Sequence, residues 1–290
     1  MTATEFDPVR FKEQQRDSWN AISEGWLSIV DSFECGAAVM TARLLELGGV
    51  RPGMRVLDVG TGVGEPALSA AGVVGPTGRV VGVDIAPDMI ALARRRASGV
   101  DNVEFFVGDA ESLDFPANAF DVALSRWGLM FAPDRPAAYR SLARVLRQGG
   151  VLAASAWGPP ETAPMMSLGF QVLVRRLELP APPPAAPGPF SMADPDEVTD
   201  GLRAAGFTDV SVTEFEVPFS LDSAEAYVAF NKAVTPPFIR GMLRERFGTD
   251  DDEETWALIG DAAAGHRGAD GRILLPSKAL CLRAVKPSGC

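Results

Sequence analysis

Between Arg55 and Trp157 the chain alternates short apolar runs with helix-patterned stretches. Repeated strand–helix units of this kind bury their apolar faces as a mostly parallel sheet with helices on both sides, an α/β class. The spacing predicts strands at Arg55–Val59, Val80–Asp84, Val103–Val107, Val122–Ser125 and Val151–Trp157. A helix is expected from Pro87, with Ile90, Ala93 and Ala97 on one face and Ser98-Gly99 as its stop. Another is expected from about Pro136 to Leu146, ended by Gly149-Gly150.

The flanks are predicted to be mainly helical. Residues 11–48 read as one or two helices carrying Trp19, Trp26, Leu27, Leu44 and Leu45. Leu179 to Phe190 is too proline-dense for ladder or helix and reads as a linker or shaped loop. Asp194-Pro195 caps a helix that ends at Gly206, Val210–Val217 alternates like a strand, and residues 222–264 are helical. The acidic run Asp250–Glu254 reads as a solvated helix start, and a last strand falls at Ile273–Val285. The expected organisation is a cap over 1–50, a core over 51–157, linker and lid helices over 158–206, a core strand within 207–218, a helical lid over 219–270 and a final core strand within 271–290.

Composition limits the function classes. With 47% apolar and 22% charged residues over 290, the chain has enough apolar material for a sizeable core and is not disordered. Its net charge of −11 opposes the phosphate backbone, so no nucleic-acid partner is expected. Cys35, Cys281 and Cys290 show no metal-ligand or disulfide spacing, which fits a reducing, cytoplasmic compartment. Met1 to Arg16 has no apolar leader pattern, and no run reaches the ~18 apolar residues of a membrane span. A soluble, unprocessed protein is expected, with no membrane partner and no metal.

The chemistry is carried by Val56-Leu57-Asp58-Val59-Gly60-Thr61-Gly62-Val63-Gly64-Glu65-Pro66, a buried strand that runs into a glycine-rich turn. Such glycines let the backbone pass close to a ligand. The G-x-G-x-x-G spacing of dinucleotide enzymes is not kept: Gly64 comes one residue early and Glu65 stands in its place, which weakens a nicotinamide-dependent oxidoreductase reading. Asp84 ends the second strand, where a carboxylate can accept from both hydroxyls of a ribose. Asp109 follows the third strand and can accept from an exocyclic amine, as on adenine.

These segments, together with Val107–Phe131 and Leu146–Trp157, resemble the class I S-adenosylmethionine-dependent methyltransferases, particularly the small-molecule branch that includes the ubiquinone and menaquinone biosynthesis methyltransferases. The resemblance covers about residues 50–157. It implies a Rossmann-like seven-stranded sheet with the last strand antiparallel, and S-adenosyl-L-methionine as cofactor with S-adenosyl-L-homocysteine as product. It places the methionine part on the Gly60-Thr61-Gly62 backbone, in the turn completed by Gly64. Asp58 lies beneath, either tying down the loop or touching the ligand. Asp84 holds the ribose, Ile85 and Met89 flank the adenine, and Asp109 with the Ala110 backbone bonds its edge. Ser125 and Arg126 border the methionine amine and the methyl group, and Trp19 and Trp26 belong to a cap over the cofactor.

The implied reaction is an in-line methyl transfer to an O, N, S or C atom of a small, apolar or aromatic acceptor. Trp127, Met130, Phe131 and Trp157, at or after strand ends, are candidates to line its site, with Met165, Met166 and Phe170 behind them. Phe190 and Phe230 are candidates from the lid. His266, the single histidine, suits a general base, although a lone histidine in a polar loop is usually solvated. A cofactor-binding regulatory protein without chemistry is the other open reading, and a monomer or homodimer is expected.

Overall fold

The computed structural model describes residues 7–180 and 186–288; Cys290, the start of the N-terminal stretch and the middle of the proline-dense run lie outside the described residues. Residues 11–48 belong to a single helix, α1, Pro8–Gly48. Asp7 caps its start by accepting from the Val9 and Arg10 amides, and Gly49, in the left-handed region at φ 62°, ends it. Val30, Phe33, Ala37, Met40 and Leu44 recur at helical spacing and are buried, so this face of α1 lies on the core. Gly36 permits the approach: a Cβ there would stand 2.5 Å from the Phe219 ring.

The remaining elements follow as β1 (Arg55–Val59), α2 (Ala67–Val74), β2 (Arg79–Asp84), α3 (Pro87–Arg96), β3 (Val103–Val107), β4 (Phe120–Arg126), α4 (Arg135–Val145) and β5 (Leu146–Trp157). Then come α5 (Pro164–Leu177), α6 (Pro195–Ala204), β6 (Thr208–Leu221), α7 (Ala224–Val234), α8 (Pro237–Phe247), α9 (Glu253–Ala264) and β7 (Ile273–Val285). Seven strands form one sheet in the order β3-β2-β1-β4-β5-β7-β6. The pairs among β1 to β5 are parallel, and β7 slots antiparallel between β5 and β6. The strand order reverses between β1 and β4, and at such a switch point the carboxyl ends of the strands open a ligand crevice. The expected α/β class and the antiparallel last strand are therefore present.

Several local expectations are corrected. Gly149-Gly150 does not terminate a helix: α4 stops at Val145 and the glycine pair lies inside β5. A Cβ on Gly150 would sit 2.8 Å from the Arg147 carbonyl and 3.1 Å from that of Asp121, so the pair serves close backbone approach. Strand β6 is longer than Val210–Val217 because β7 pairs with it as far as Leu221↔Ile273. Pro218 is tolerated there because β6 is an edge strand. The helix after Asp194 stops at Ala204, just before Gly206. Residues 222–264 divide into α7, α8 and α9, broken at Pro236-Pro237 and at Gly248, which has φ 81°. Asp252, in the acidic run, caps α9 through the Thr255 amide and also pairs with Arg176. No helix among the described residues is long and apolar enough to cross a membrane.

Candidate active site

The glycine turn leaves β1 with Gly60, Gly62 and Gly64 at φ 72°, 53° and 113°, values that strain any residue with a Cβ. The Gly60 and Thr61 amides donate to the Val83 carbonyl at 2.9 and 3.0 Å, which ties the turn to the end of β2. Asp84 completes the tie: its Oδ2 accepts from the Gly62 amide and its Oδ1 from the Ala86 amide, both at 2.9 Å. Each oxygen keeps a second lone pair, the number needed for two vicinal hydroxyls. Burial raises the Asp84 carboxyl above its ordinary value, and the Ala86 and Gly62 amides offset part of that rise.

Asp109 caps a short 3₁₀ turn over Ala110–Ser112 with Oδ1 on the Glu111 amide. Its Oδ2 lies 2.6 Å from Lys12 Nζ, which also reaches Glu111 at 2.5 Å. The start of α1 is thereby clasped to the end of β3, on the side assigned to adenine.

Asp58 is fully buried, bonds the Ala67 amide at 3.1 Å and does not line the cavity, so it braces the turn from below. Burial pushes its carboxyl up to about 7, against the lowering effects of the Thr61 hydroxyl and the Arg126 charge. A native pKa above the unfolded one gives a contribution to stability that is complete below the unfolded value of 3.8 and lost as pH rises through about 7. Asp58→Asn should therefore remove a few kcal/mol of pH dependence between those limits, read from urea unfolding of both proteins across that range. Parallel pH curves for the two would refute the buried, protonated carboxyl. Gly64 and Ser125 are likewise outside the lining; Ser125 Oγ bonds the Val59 carbonyl at 2.8 Å and holds β4 to β1.

A cavity of about 1480 Å³ runs over these strand ends. Gly60, Thr61, Gly62, Asp84, Ile85, Met89, Asp109 and Ala110 line its polar end, and Trp19 and Trp26 of α1 roof it. At the other end stand Trp127, Met130, Trp157, Phe190 and Phe230. Trp127 holds a left-handed backbone at φ 57°, and its amide donates to the Ser155 carbonyl at 3.0 Å. Its ring stacks on Trp157 at 4.3 Å and 6°. Strain of this kind persists where the surroundings over-determine it, as this stack does. Phe131, Met166 and Phe170 also line the cavity, whereas Met165 is buried behind it.

His266 is not brought to the site. It is exposed on the α9–β7 loop, its backbone bonded to Ala263 and Leu274, and it does not line the cavity. Conversely, Lys12, Glu34, Asn231 and Thr235 line the cavity and were missed by sequence reasoning. All four lie on or beside helices, where a polar residue facing inward has the same sequence pattern as one facing solvent.

A doubly wound sheet whose glycine turn and two strand-end carboxylates face one largely apolar cavity defines an open α/β enzyme that uses a nucleoside cofactor. The comparisons agree and are more specific. Residues 51–167 match the methyltransferase-domain family model. The nocamycin O-methyltransferase of Saccharothrix syringae is 35% identical over 199 residues, which cover 65% of this chain and 71% of that protein. A ubiquinone/menaquinone biosynthesis C-methyltransferase of Ectopseudomonas mendocina is 44% identical over 119 residues, covering 40% of this chain and 46% of the relative, so the chain spans about half of that protein's length. Among solved structures, phosphoethanolamine N-methyltransferase 2 of Haemonchus contortus, in complex with S-adenosyl-L-methionine, shares the fold at a TM-score of 0.58 and 18% identity, covering 98% of this chain and 60% of that one. The chain belongs to the S-adenosylmethionine-dependent methyltransferases. The nicotinamide-dependent reading is thereby set aside.

The residues fit this cofactor. A Cβ built on Gly62 meets nothing within 4 Å, so the turn presents open backbone to a ligand.

Proposed function

We propose that the chain methylates a small, apolar or aromatic molecule lodged against Trp127, Met130, Trp157, Phe190 and Phe230. One observation carries this reading: the polar end that suits an adenosine and the aromatic end that suits such an acceptor belong to one continuous cavity. The bound cofactor supplies an activated methyl group on a sulfonium, so no covalent enzyme nucleophile is needed. Asp84 holds the ribose, Ile85 and Met89 sandwich the adenine, and Asp109 with the Ala110 backbone reads its edge.

The chain's own contribution is alignment and exclusion of water. The stacked Trp127 and Trp157 form a stiff wall, and α1 and the lid helices cover the crevice. Fixing a nucleophile in line with the methyl can supply up to about 7–11 kcal/mol in well-oriented models. Asp194 and Glu197 line the cavity and are exposed, and Arg126, which lies 5.4 Å from the centre of the Trp127 ring, is paired with Glu34. One relative is an O-methyltransferase and the other a C-methyltransferase, which supports oxygen or carbon as the accepting atom.

The test is incubation with S-adenosyl-L-methionine and a panel of phenols, quinols, amines and thiols, read by mass spectrometry. Methylation of at least one aromatic member is expected. Tight cofactor binding with no product across the panel would favour the regulatory reading.

A further inference from the structure

Three buried hydroxyl or amide side chains line the cavity among the described residues: Thr61, Asn231 and Thr235. Thr61 belongs to the glycine turn, and the other two lie elsewhere. Asn231 is on α7 and Thr235 closes that helix one turn later, a spacing that sets two side chains on the same face. Asn231 directly follows Phe230, so the pair stands at the aromatic end. Polar groups withdrawn from water in such surroundings cost free energy unless each atom finds a partner.

Only one side of the Asn231 amide is satisfied. Its Nδ2 is engaged with Tyr227, donating to the carbonyl at 2.9 Å and helping to hold the hydroxyl, which fixes the direction of the amide. Tyr227 is itself anchored to α5, its hydroxyl accepting from the Gly169 amide at 3.0 Å. Gly169 also leaves room for the side chain: a Cβ there would stand 1.9 Å from Asn231 Oδ1. That Oδ1 accepts from no described residue and is not sealed from solvent, so it opens on the cavity that Asn231 lines. Thr235 Oγ1 donates to the Asn231 main-chain carbonyl at 2.6 Å and keeps its own lone pairs. Toward the cavity both groups are therefore hydrogen-bond acceptors, and neither is a donor.

We propose that Asn231 and Thr235 select an acceptor molecule that carries a hydroxyl or an N–H group, which donates a hydrogen bond to Asn231 Oδ1 with Thr235 Oγ1 as the neighbouring acceptor. This rests on the aromatic acceptor site of the proposed function and names the group which that site reads. A site of this kind discriminates strongly, because an analogue without the donor leaves the site's own buried oxygen unpaired. The amide is held by Tyr227 before any ligand arrives, so little ordering is lost on binding.

The test is equilibrium dialysis on the full chain saturated with S-adenosyl-L-homocysteine, using three ligands of nearly equal size: 1-naphthol and 1-naphthylamine, which donate, and 1-methylnaphthalene, which does not. An apolar pocket alone would favour the methyl compound, the one that leaves water most readily. The unmodified protein should instead bind at least one of the two donors about tenfold more tightly than 1-methylnaphthalene, and the tighter of the two identifies the donor. Asn231→Leu, close to the parent in size, should weaken that donor at least about tenfold while 1-methylnaphthalene stays within about threefold. Thr235→Val should shift the balance in the same direction, and Thr235→Ser, which keeps the hydroxyl, should not. Equal losses for all three ligands in Asn231→Leu would assign Asn231 to packing α7 on α5 alone and overturn the proposal. Should the leucine variant not fold, the order of the three ligands on the unmodified protein decides by itself, and tightest binding of 1-methylnaphthalene overturns the proposal. Binding of S-adenosyl-L-homocysteine but of none of the three would instead overturn the aromatic acceptor site.

Discussion

Asp84→Ala should lower the affinity for S-adenosyl-L-methionine and S-adenosyl-L-homocysteine by at least about 100-fold, because two charge-assisted hydrogen bonds to the ribose are lost together. The carboxylate also accepts from the Gly62 and Ala86 amides, so the alanine variant frees the glycine turn as well as the sugar. Asp84→Asn separates the two effects: it keeps one oxygen and the side chain's shape but loses the charge, and should fall between the parent and the alanine variant. Calorimetry gives the affinities, and circular dichroism establishes that the sheet survives. An Asp84→Ala protein that is folded and binds as tightly as its parent would remove Asp84 from the ribose site.

The second large effect is on stability. Trp157 is among the largest fully buried side chains, stacked on Trp127 at 4.3 Å and 5.9 Å from the Phe219 ring. Truncating such a residue removes its transfer free energy and leaves a void, a loss of about 3–5 kcal/mol. Trp157→Ala should show this in urea unfolding. Trp127, whose left-handed backbone is held partly by the stack, should loosen at the same time and weaken acceptor binding. Trp157→Phe keeps a ring in the stack and should lose less than half as much. A Trp157→Ala loss below about 1 kcal/mol would mean that the void collapses and the wall is softer than its geometry implies.

The parts of the fold that were legible in the sequence are those specified locally. Strands β1, β2 and β4 are largely buried apolar runs, β3 is an edge strand of alternating burial, and all four are bounded by turn residues and fall within a few residues of their expected limits. Asp84 and Asp109 were visible because a carboxylate at a strand's end breaks an apolar pattern at a defined place. The errors lie where long-range pairing decides. Nothing in Thr208-Asp209 or Phe219–Leu221 announces a strand until β7 arrives beside them. The glycines at 149 and 150 carry the same local signal at a helix end and within a closely packed strand. Lys12 and Glu34 were invisible because α1 has charged residues along much of its length, and only docking shows which of them turn inward. His266 was singled out for its chemistry, and chemistry alone does not say which side of the molecule a loop occupies.

The lid helices α7, α8 and α9 leave the sheet after Leu221 and return at Ile273, two residues paired directly across β6 and β7. Their departure and return points are thus neighbours, held by a ladder that does not depend on what lies between. Phe230, Asn231, Val234 and Ile239 all sit in that excursion and face the cavity, whereas the glycine turn, Asp84 and Asp109 lie on the opposite half of the sheet. An ancestor could exchange the excursion for another of different length and composition without moving the strands that carry the glycine turn, Asp84 and Asp109, as long as the new segment still packs on α1, where Gly25 meets the Ala233 backbone and Phe33 stacks on Phe230. Under the proposed function, such a graft point would let acceptor preference diverge while the strands of the donor site stay fixed.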